Sequence, residues 1–328
     1  MEYTSLGRTG LQVSRLCLGT MNFGATTPED ECVAIMDRAS HGGINFFDTA
    51  NIYGRKLHVG ASEEIIGRWF AAEPGRRDRT VLATKVYGSM SDVPNDGGLS
   101  ARHIIAACEG SLRRLQTDWI DLYQMHHIPR ATPWEEIWQA MDVLVAQGKI
   151  RYVGSSNFAG WHLGAAQEAA NRRHSLGLVS EQCIYNLLVR HVELEVVPAA
   201  MAYGIGILPW APLHGGLLGG AIRKLREGSA VRTKEGRAAK GMPANADTIE
   251  AYENLCAELG HSPADVALAW LLSRPGVTAP VLGPRSFEQL DASFASLHIT
   301  LDPGVLARLD ELFPPIGGGG PAPDAWTW

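Results

Sequence analysis

Four residues of this 328-residue chain have types that can act together on a carbonyl group: Asp48, Tyr53, Lys85 and His126. A phenol donates a proton, an ammonium beside it lowers the phenol pKa by favouring the phenolate, a carboxylate holds the ammonium, and an imidazole orients a carbonyl oxygen. Each stands at or just beyond an apolar run. Asp48 follows Ile44-Asn45-Phe46-Phe47, with Tyr53 five residues later. Lys85 ends Thr80-Val81-Leu82-Ala83-Thr84, and His126 follows Asp121-Leu122-Tyr123-Gln124-Met125. Taken singly, each also has a plain structural reading. Asp48 and Lys85 could be a framework ion pair, and Tyr53 a packed aromatic with its hydroxyl in water. The doublet His126-His127 hints at a metal, but neighbours on an extended segment point to opposite sides and no other His, Cys or Asp spacing completes a ligand set. No metal is expected.

These residues need elements to hold them. Short apolar runs at 15–18, 44–47, 81–85, 120–124, 150–154, 179–182, 205–210 and 279–282 give eight candidate strands, separated by longer amphipathic stretches. The helical windows open on cap or first-turn signals: Thr27-Pro28-Glu29-Asp30, Ser62-Glu63-Glu64, Ser100-Ala101-Arg102 and Thr132-Pro133-Trp134-Glu135. Strands alternating with helices, and no low-complexity linker between halves, predict an α/β fold, a closed (β/α)8 TIM barrel. In such a barrel a polar residue at the C-terminal end of a strand faces the mouth where chemistry is done.

A barrel takes roughly 250 residues. The rest of a single 1–328 domain is then decoration: a hairpin at 1–13 around Gly7-Arg8-Thr9-Gly10 closing the bottom, a loop at 86–99, a Gly-rich basic loop or lid at 212–245, and an irregular Pro/Gly-rich tail at 313–328. At 45% apolar residues the chain can build a large core without disulfides. Its five cysteines, odd in number and without CxxC spacing, read as buried thiols in a reducing compartment. A net charge of −6 argues against nucleic acid as a partner. No apolar stretch approaches the roughly 20 residues of a membrane span, and the N-terminus lacks a leader pattern. A soluble cytoplasmic protein, a monomer or weak homo-oligomer, is expected.

Five motifs in order, Asp-Thr-Ala-Asn-Ile-Tyr-Gly (48–54), Thr-Lys (84–85), Asp-Leu-Tyr-Gln-Met-His (121–126), Gly-Ser-Ser-Asn-Phe (154–158) and Gly-Pro-Arg-Ser-Phe-Glu-Gln-Leu (283–290), resemble those of the aldo-keto reductases. The resemblance covers nearly the whole chain. It implies an NADP-dependent oxidoreductase: Tyr53 protonates a carbonyl as hydride arrives from nicotinamide, Lys85 and Asp48 tune and position the phenol, and His126 orients the substrate.

No GxGxxG or GxxxxGK[ST] occurs, so the dinucleotide must be held at the barrel mouth. The resemblance assigns Ser156, Asn157 and Gln182 to the nicotinamide carboxamide, Trp210 to stacking on its ring, and Gly19, Thr20, Met21 and Asp48 to facing it. Gly216, Leu217 and Gly219 fall in a glycine run whose backbone can approach the diphosphate. Arg285 would meet the adenosine 2′-phosphate, favouring NADPH over NADH, Gln289 would meet the adenine, and Gly283 would be a further cofactor contact. Ser293 stands where many relatives carry Asn, and Ala211 where Trp-Ser-Pro is common.

The expected partner is a small carbonyl compound. Phe23 and Tyr87, both after strand ends, join Tyr53 and His126 as candidate pocket residues. Between 212 and 245, seven Lys and Arg stand against two Glu, a local +5, read either as a solvated face or as a funnel for anions. The stretches 95–103, 156–162 and 212–216 look similar to bacterial members that reduce nucleotide-linked keto-deoxysugars, and equally to general aldehyde and ketone reductases. Two other readings stay open: a redox-sensing interaction subunit of the potassium-channel β type, and a metal-dependent hydrolase built on Asp48, His126 and His127.

Overall fold

The computed structural model describes residues 1–228 and 236–316. Its centre is one eight-stranded parallel sheet made of β3 (Cys17–Gly19), β4 (Phe46–Asp48), β5 (Val81–Val86), β6 (Ile120–Met125), β7 (Ile150–Ser156), β8 (Leu178–Ile184), β9 (Gly206–Trp210) and β10 (Val281–Leu282), preceded in the chain by the antiparallel pair β1 (Tyr3–Ser5) and β2 (Gln12–Ser14). Seven consecutive pairings join β10 to β9 through β3. The gap between β9 and β10 is bridged by Ile207 N–H to Gly276 O and Thr278 N–H to Ile207 O, both 2.9 Å, so the sheet curls into the expected barrel. β5 is buried on both faces along its whole length, as parallel strands under a helical coat must be.

The coat comprises α1 (Glu29–His41), α2 (Ala61–Ala72), α3 (Ala101–Leu115), α4 (Trp134–Ala146), α5 (Gly160–Asn171), α6 (Val196–Tyr203), α7 (Ala221–Arg226), α8 (Gly236–Glu258), α9 (Pro263–Leu272), α10 (Phe287–Ser293) and α11 (Pro303–Leu312). In α3 the buried Ile104, Ala107, Cys108, Leu112 and Leu115 recur at helical spacing against the sheet. Of the four expected opening signals only Ser100 caps with its side chain, accepting from His103 N. Thr27 and Thr132 lie before Pro28 and Pro133, which occupy the cap positions without a side-chain bond. Ser62 is inside α2, which starts one residue earlier behind Gly60 at φ 94°, and its hydroxyl is taken by Thr20 and Thr49.

The hairpin sits under the barrel. Leu6 and Val13 are fully buried against Cys17, Phe46, Val81, Leu122, Val179 and Ala279, the lower filling of the barrel interior. Arg8 reaches the carbonyls of Leu178, Tyr203 and Leu176, pinning the turn to the start of β8 and the end of α6. The described residues of the segment 212–245, read as a loop, are mostly structured. It contains a short 3₁₀ turn at His214–Gly216, then α7 and the start of α8. Its glycines disguised α7, which begins only after Gly220 at φ 83°. Residues 317–328 of the tail, with Arg232 and Lys234 of the basic segment, lie outside the described residues.

Candidate active site

Polar side chains replace apolar ones inside the barrel one pleat higher. On β4 Phe46 fills the floor and Asp48 stands above it; on β5 Ala83 is followed by Lys85; on β6 Leu122 is followed by Gln124. Period-2 alternation keeps each pair on the same, inward face. Asp48 is 2% exposed and Lys85 0%. Lys85 Nζ donates to Asp48 Oδ2 at 2.5 Å and to Thr49 O at 2.8 Å, and reaches Tyr53 Oη at 3.5 Å. The other carboxylate oxygen of Asp48 accepts from Gln124 Nε2 and Gln182 Nε2, each at 2.9 Å. Gln124 was missed in the sequence. Its signal was available: two residues before His126, it shares the inward face of β6.

Tyr53 is tied down through its backbone. Its N–H donates to Ala50 O, and its carbonyl accepts from Gly60 N and Ser62 N at the head of α2. The next residue has to be glycine, because at φ 93° a Cβ on Gly54 would lie 2.7 Å from Ala61 Cβ. His126 N–H donates to Val86 O at 2.9 Å. The phenol ring meets the His126 ring edge-on, with centroids 5.8 Å apart. His127 does not point the opposite way as expected. The chain leaves β6 at Met125, and the two imidazoles stack at 5.0 Å and 4°, with Tyr87 edge-on to His127 at 5.2 Å. Among the described residues no group of three or more His, Cys, Asp or Glu is arranged to hold a metal.

The electrostatics differ from the simple expectation at Tyr53. Burial raises its phenol, Lys85 pulls it down, Asp48 pushes it up again, and the net result lies above the ordinary value rather than below it. Burial works to lower the Lys85 ammonium, but the Asp48 charge and the contact with Tyr53 overcome it and hold it above its ordinary value. Burial, then the charges of Lys85, His127 and Arg55, push the His126 imidazole down to about 2, so it is neutral.

The remaining predicted residues divide. Ser156 Oγ donates to Gln182 O at 2.8 Å. Asn157, at φ 62°, donates through Nδ2 to His126 O at 3.2 Å and to Ser156 Oγ at 3.0 Å, and accepts from Trp210 Nε1 at 3.1 Å. Asn157, Gln182 and Trp210 are thus brought to the tetrad. Gly19 is dictated by packing, since a Cβ would lie 2.7 Å from Val281 Cγ1. Thr20 is buried with its hydroxyl on Asp48 O, while Met21 is exposed. Phe23, expected on the pocket wall, is fully buried in the core between sheet and helices, because the tight turn Phe23 N–H to Thr20 O folds it back from the strand end. Tyr87 is half-buried beside His127.

Further out, Gly215 and Gly216 have φ of 71° and 107° beside buried Leu217 and Gly219, and the amides of Gly216 and Gly219 are bonded within the turn, to Leu213 O and Gly216 O. Arg285 follows exposed Gly283, and its Nε is buried without a partner. Gln289 Oε1 accepts from Arg285 N at 3.0 Å. Ser293 points inward and donates to Leu290 O, so its hydroxyl is spent within α10. An unpartnered guanidinium nitrogen, a glycine run with positive φ and a half-buried indole above the tetrad fit a phosphate-bearing dinucleotide.

Residues 15–313 match the model of the aldo/keto reductase family. The chain is 53% identical, over the full length of both, to the oxidoreductase YrpG of Bacillus subtilis (strain 168). It is 33% identical to versiconal hemiacetal acetate reductase of Aspergillus parasiticus, covering 96% of this chain and 98% of that one. It is also 33% identical to a probable voltage-gated potassium channel subunit beta of Oryza sativa subsp. japonica, covering 94% and 96%. No helix among the described residues is long and apolar enough to cross a membrane. Motifs, barrel and relatives agree, and the chain belongs to the aldo/keto reductase family of oxidoreductases.

Proposed function

We propose that this enzyme reduces an aldehyde or ketone to an alcohol with NADPH, Tyr53 donating the proton to the carbonyl oxygen. The observation that carries this reading is the chain Tyr53 Oη, Lys85 Nζ, Asp48 Oδ2, with separations of 3.5 and 2.5 Å at the barrel mouth. The nicotinamide, when bound, supplies a hydride. Tyr53 gives up its proton as negative charge develops on the oxygen, and Lys85 stabilises the phenolate left behind. Asp48 keeps Lys85 charged and in place. Neutral His126 donates a hydrogen bond that fixes the carbonyl without competing as an acid. Burial raises the free Tyr53 phenol, which keeps it protonated and ready to donate at neutral pH.

Ser156, Asn157 and Gln182 would hold the carboxamide, Trp210 the ring face, and residues 215–219 the diphosphate. Arg285 would take the 2′-phosphate and Gln289 the adenine. Both donors of the Asn157 amide are engaged, but among the described residues its Oδ1 accepts only from Trp210 Nε1 and keeps a second lone pair for the carboxamide. We place the enzyme in the cytoplasm as one barrel domain acting on small carbonyl compounds. Five free, buried cysteines support a reducing compartment.

Tyr53→Phe should leave NADPH binding unchanged and abolish reduction; turnover within a few-fold of the parent would sink the assignment. Dissociation constants for NADPH and NADH test the role of Arg285, and equal values would refute the preference. For the substrate we favour a phosphate-bearing ketone such as a nucleotide-linked keto-deoxysugar, on the +5 charge of residues 212–245. Among the described residues, Arg223 is paired with Glu227 and Arg226 with Glu250. If neutralising Arg232 and Arg237 changes only the KM for NADPH, the substrate half fails. Potassium-channel-type relatives keep a redox-sensing subunit in view. Oxidation of bound NADPH by a panel of aldehydes, ketones and ketosugars separates the two, since an interaction subunit would turn over none of them.

A further inference from the structure

Outside the tetrad two carboxyls among the described residues are fully inaccessible, Glu63 on α2, which is paired with Arg114, and Glu181 on β8, which has no cation beside it. Glu181 faces the helical layer, away from Asp48. β7 and β8 pair as Val153 with Leu178 and then Gly154 with Ser180, so Val179 is an extra residue on β8. That bulge shifts the strand's phase by one. Val179 packs inside the barrel, Gln182 turns inward to Asp48, and Glu181 turns outward beneath the end of β7. There it accepts from Ser155 Oγ at 2.5 Å and from Phe158 N at 3.0 Å. From the opposite side, Gln182 O accepts from Ser156 Oγ at 2.8 Å and Asn157 N at 3.0 Å.

The turn 155–158 is therefore gripped by two neighbouring residues of β8. The grip matters because Asn157 has φ 62°, a left-handed conformation that a residue with a side chain holds only when its surroundings impose it. In that conformation one amide bonds both His126 O and Trp210 Nε1.

We infer that Glu181 is a positioning residue, whose carboxyl holds the Ser155–Phe158 turn so that Asn157 is set for the nicotinamide end of the cofactor and for His126. The inference rests on the reading of this mouth as an NADPH site. A carboxyl is suited to the task because one side chain must satisfy the Phe158 amide and the Ser155 hydroxyl at once in a space closed to water, where each unmade hydrogen bond is costly. Burial pushes this carboxyl up to about 8, against the Ser155 and Phe158 hydrogen bonds, so it is largely protonated at neutral pH. A glutamine then resembles it: the carbonyl accepts from the Phe158 amide, and the NH₂ donates to Ser155 Oγ, which already lies 3.3 Å from Ser180 O.

The test compares the full-length parent with Glu181→Ala and Glu181→Gln. NADPH affinity is read by tryptophan fluorescence, kcat and KM are normalised to cofactor-binding sites, and amide hydrogen exchange is followed over residues 155–160 in the free protein. Glu181→Ala should raise the NADPH Kd about tenfold, lower kcat per site, and speed exchange in this turn. Glu181→Gln should stay within about threefold of the parent in all three. A merely structural glutamate would lower the Tm and the folded fraction while leaving Kd and kcat per site unchanged, and that result overturns the inference. So does a Glu181→Gln protein as impaired as the alanine variant. If Glu181→Ala does not fold, Ser155→Ala carries the test, with a smaller rise in Kd expected and an unchanged Kd and exchange rate overturning it. A parent that binds neither NADPH nor NADH overturns the reading of the site itself and this inference with it, whereas a parent that binds beside an alanine variant that binds equally well overturns the inference alone.

Discussion

The floor and the mouth of this barrel are one interior, separated by a single pleat, yet they obey opposite rules. On the floor Phe46, Ala83, Leu122 and Val179 meet the hairpin residues Leu6 and Val13, and stability comes from volume and fit. Two residues further along β4, β5 and β6 stand Asp48, Lys85 and Gln124, equally inaccessible to water, where stability depends on the partners of the charged groups. Both oxygens of Asp48 and the Lys85 ammonium are bonded, while Gln124 Oε1 has no partner among the described residues. The floor is the support that makes the mouth possible. A buried ion pair with two amide donors adds little net stability of its own, but it holds a charge where Tyr53 can use it.

The largest expected effect breaks the mouth. Lys85→Met removes the cation and leaves Asp48 buried against Gln124 and Gln182 alone. We expect reduction to fall by about 10²–10⁴ and stability by roughly 3–5 kcal/mol, because breaking a buried pair strands the other charge. Single-turnover rates and denaturant midpoints measure both. A stable but inactive variant would mean that burial of Asp48 does not depend on Lys85 and that the mouth behaves more like the floor. The matching change below is Leu122→Ala, one pleat from Gln124. It should lose roughly 2–5 kcal/mol by opening a cavity while the rate per folded molecule stays as in the parent. A loss of rate without a loss of stability would dissolve the distinction between the layers.

A smaller effect belongs to Glu181, which has the chemistry of the mouth but sits on the outer face of the strand. Its carboxyl is raised to about 8 from an ordinary carboxylate value, so between those limits the native state holds a proton that the unfolded chain has released. Its stabilising contribution is therefore complete below the unfolded pKa and is lost as pH rises towards about 8. The slope attributable to it is at most about 1.4 kcal/mol per pH unit. Comparing the pH dependence of Tm in the parent and in Glu181→Gln isolates this term. The glutamine variant should show the flatter profile between pH 5 and 8, and parallel profiles would show that Glu181 is already ionised.

The two layers were not equally legible. The mouth announced itself, because Asp48, Lys85 and His126 interrupt or end apolar runs and such interruptions are costly unless used. The barrel was legible in the alternation of short and long runs, and the hairpin in its Gly-rich turn. What escaped is what a strand does out of register. Nothing in Val179-Ser180-Glu181-Gln182 marks Val179 as an extra residue, so neither the outward turn of Glu181 nor the inward turn of Gln182 could be assigned to a face. Phe23 failed for a related reason: proximity to a strand end gives no direction once the chain folds back on Thr20. α7 was hidden by the glycines before it, and the net pKa of Tyr53 depended on burial, which spacing does not report.

The smallest predicted effect is an absence, and it discriminates sharply. An imidazole at the rim of an ordinary polar cleft would titrate near 6.5 and give kcat/KM an inflection there. His126 is instead held at about 2 by burial first and by the charges of Lys85, His127 and Arg55 after it. Tyr53 is raised above its ordinary value, so neither group changes protonation between pH 5 and 8. kcat/KM for a neutral carbonyl substrate should therefore be flat across that range, with its decline on the alkaline side where the phenol deprotonates. An acid limb centred near pH 6.5 in the parent, absent from His126→Asn, would show that His126 is solvated and exchanging protons. The mouth would then be a water-filled vestibule rather than the upper half of a dry core.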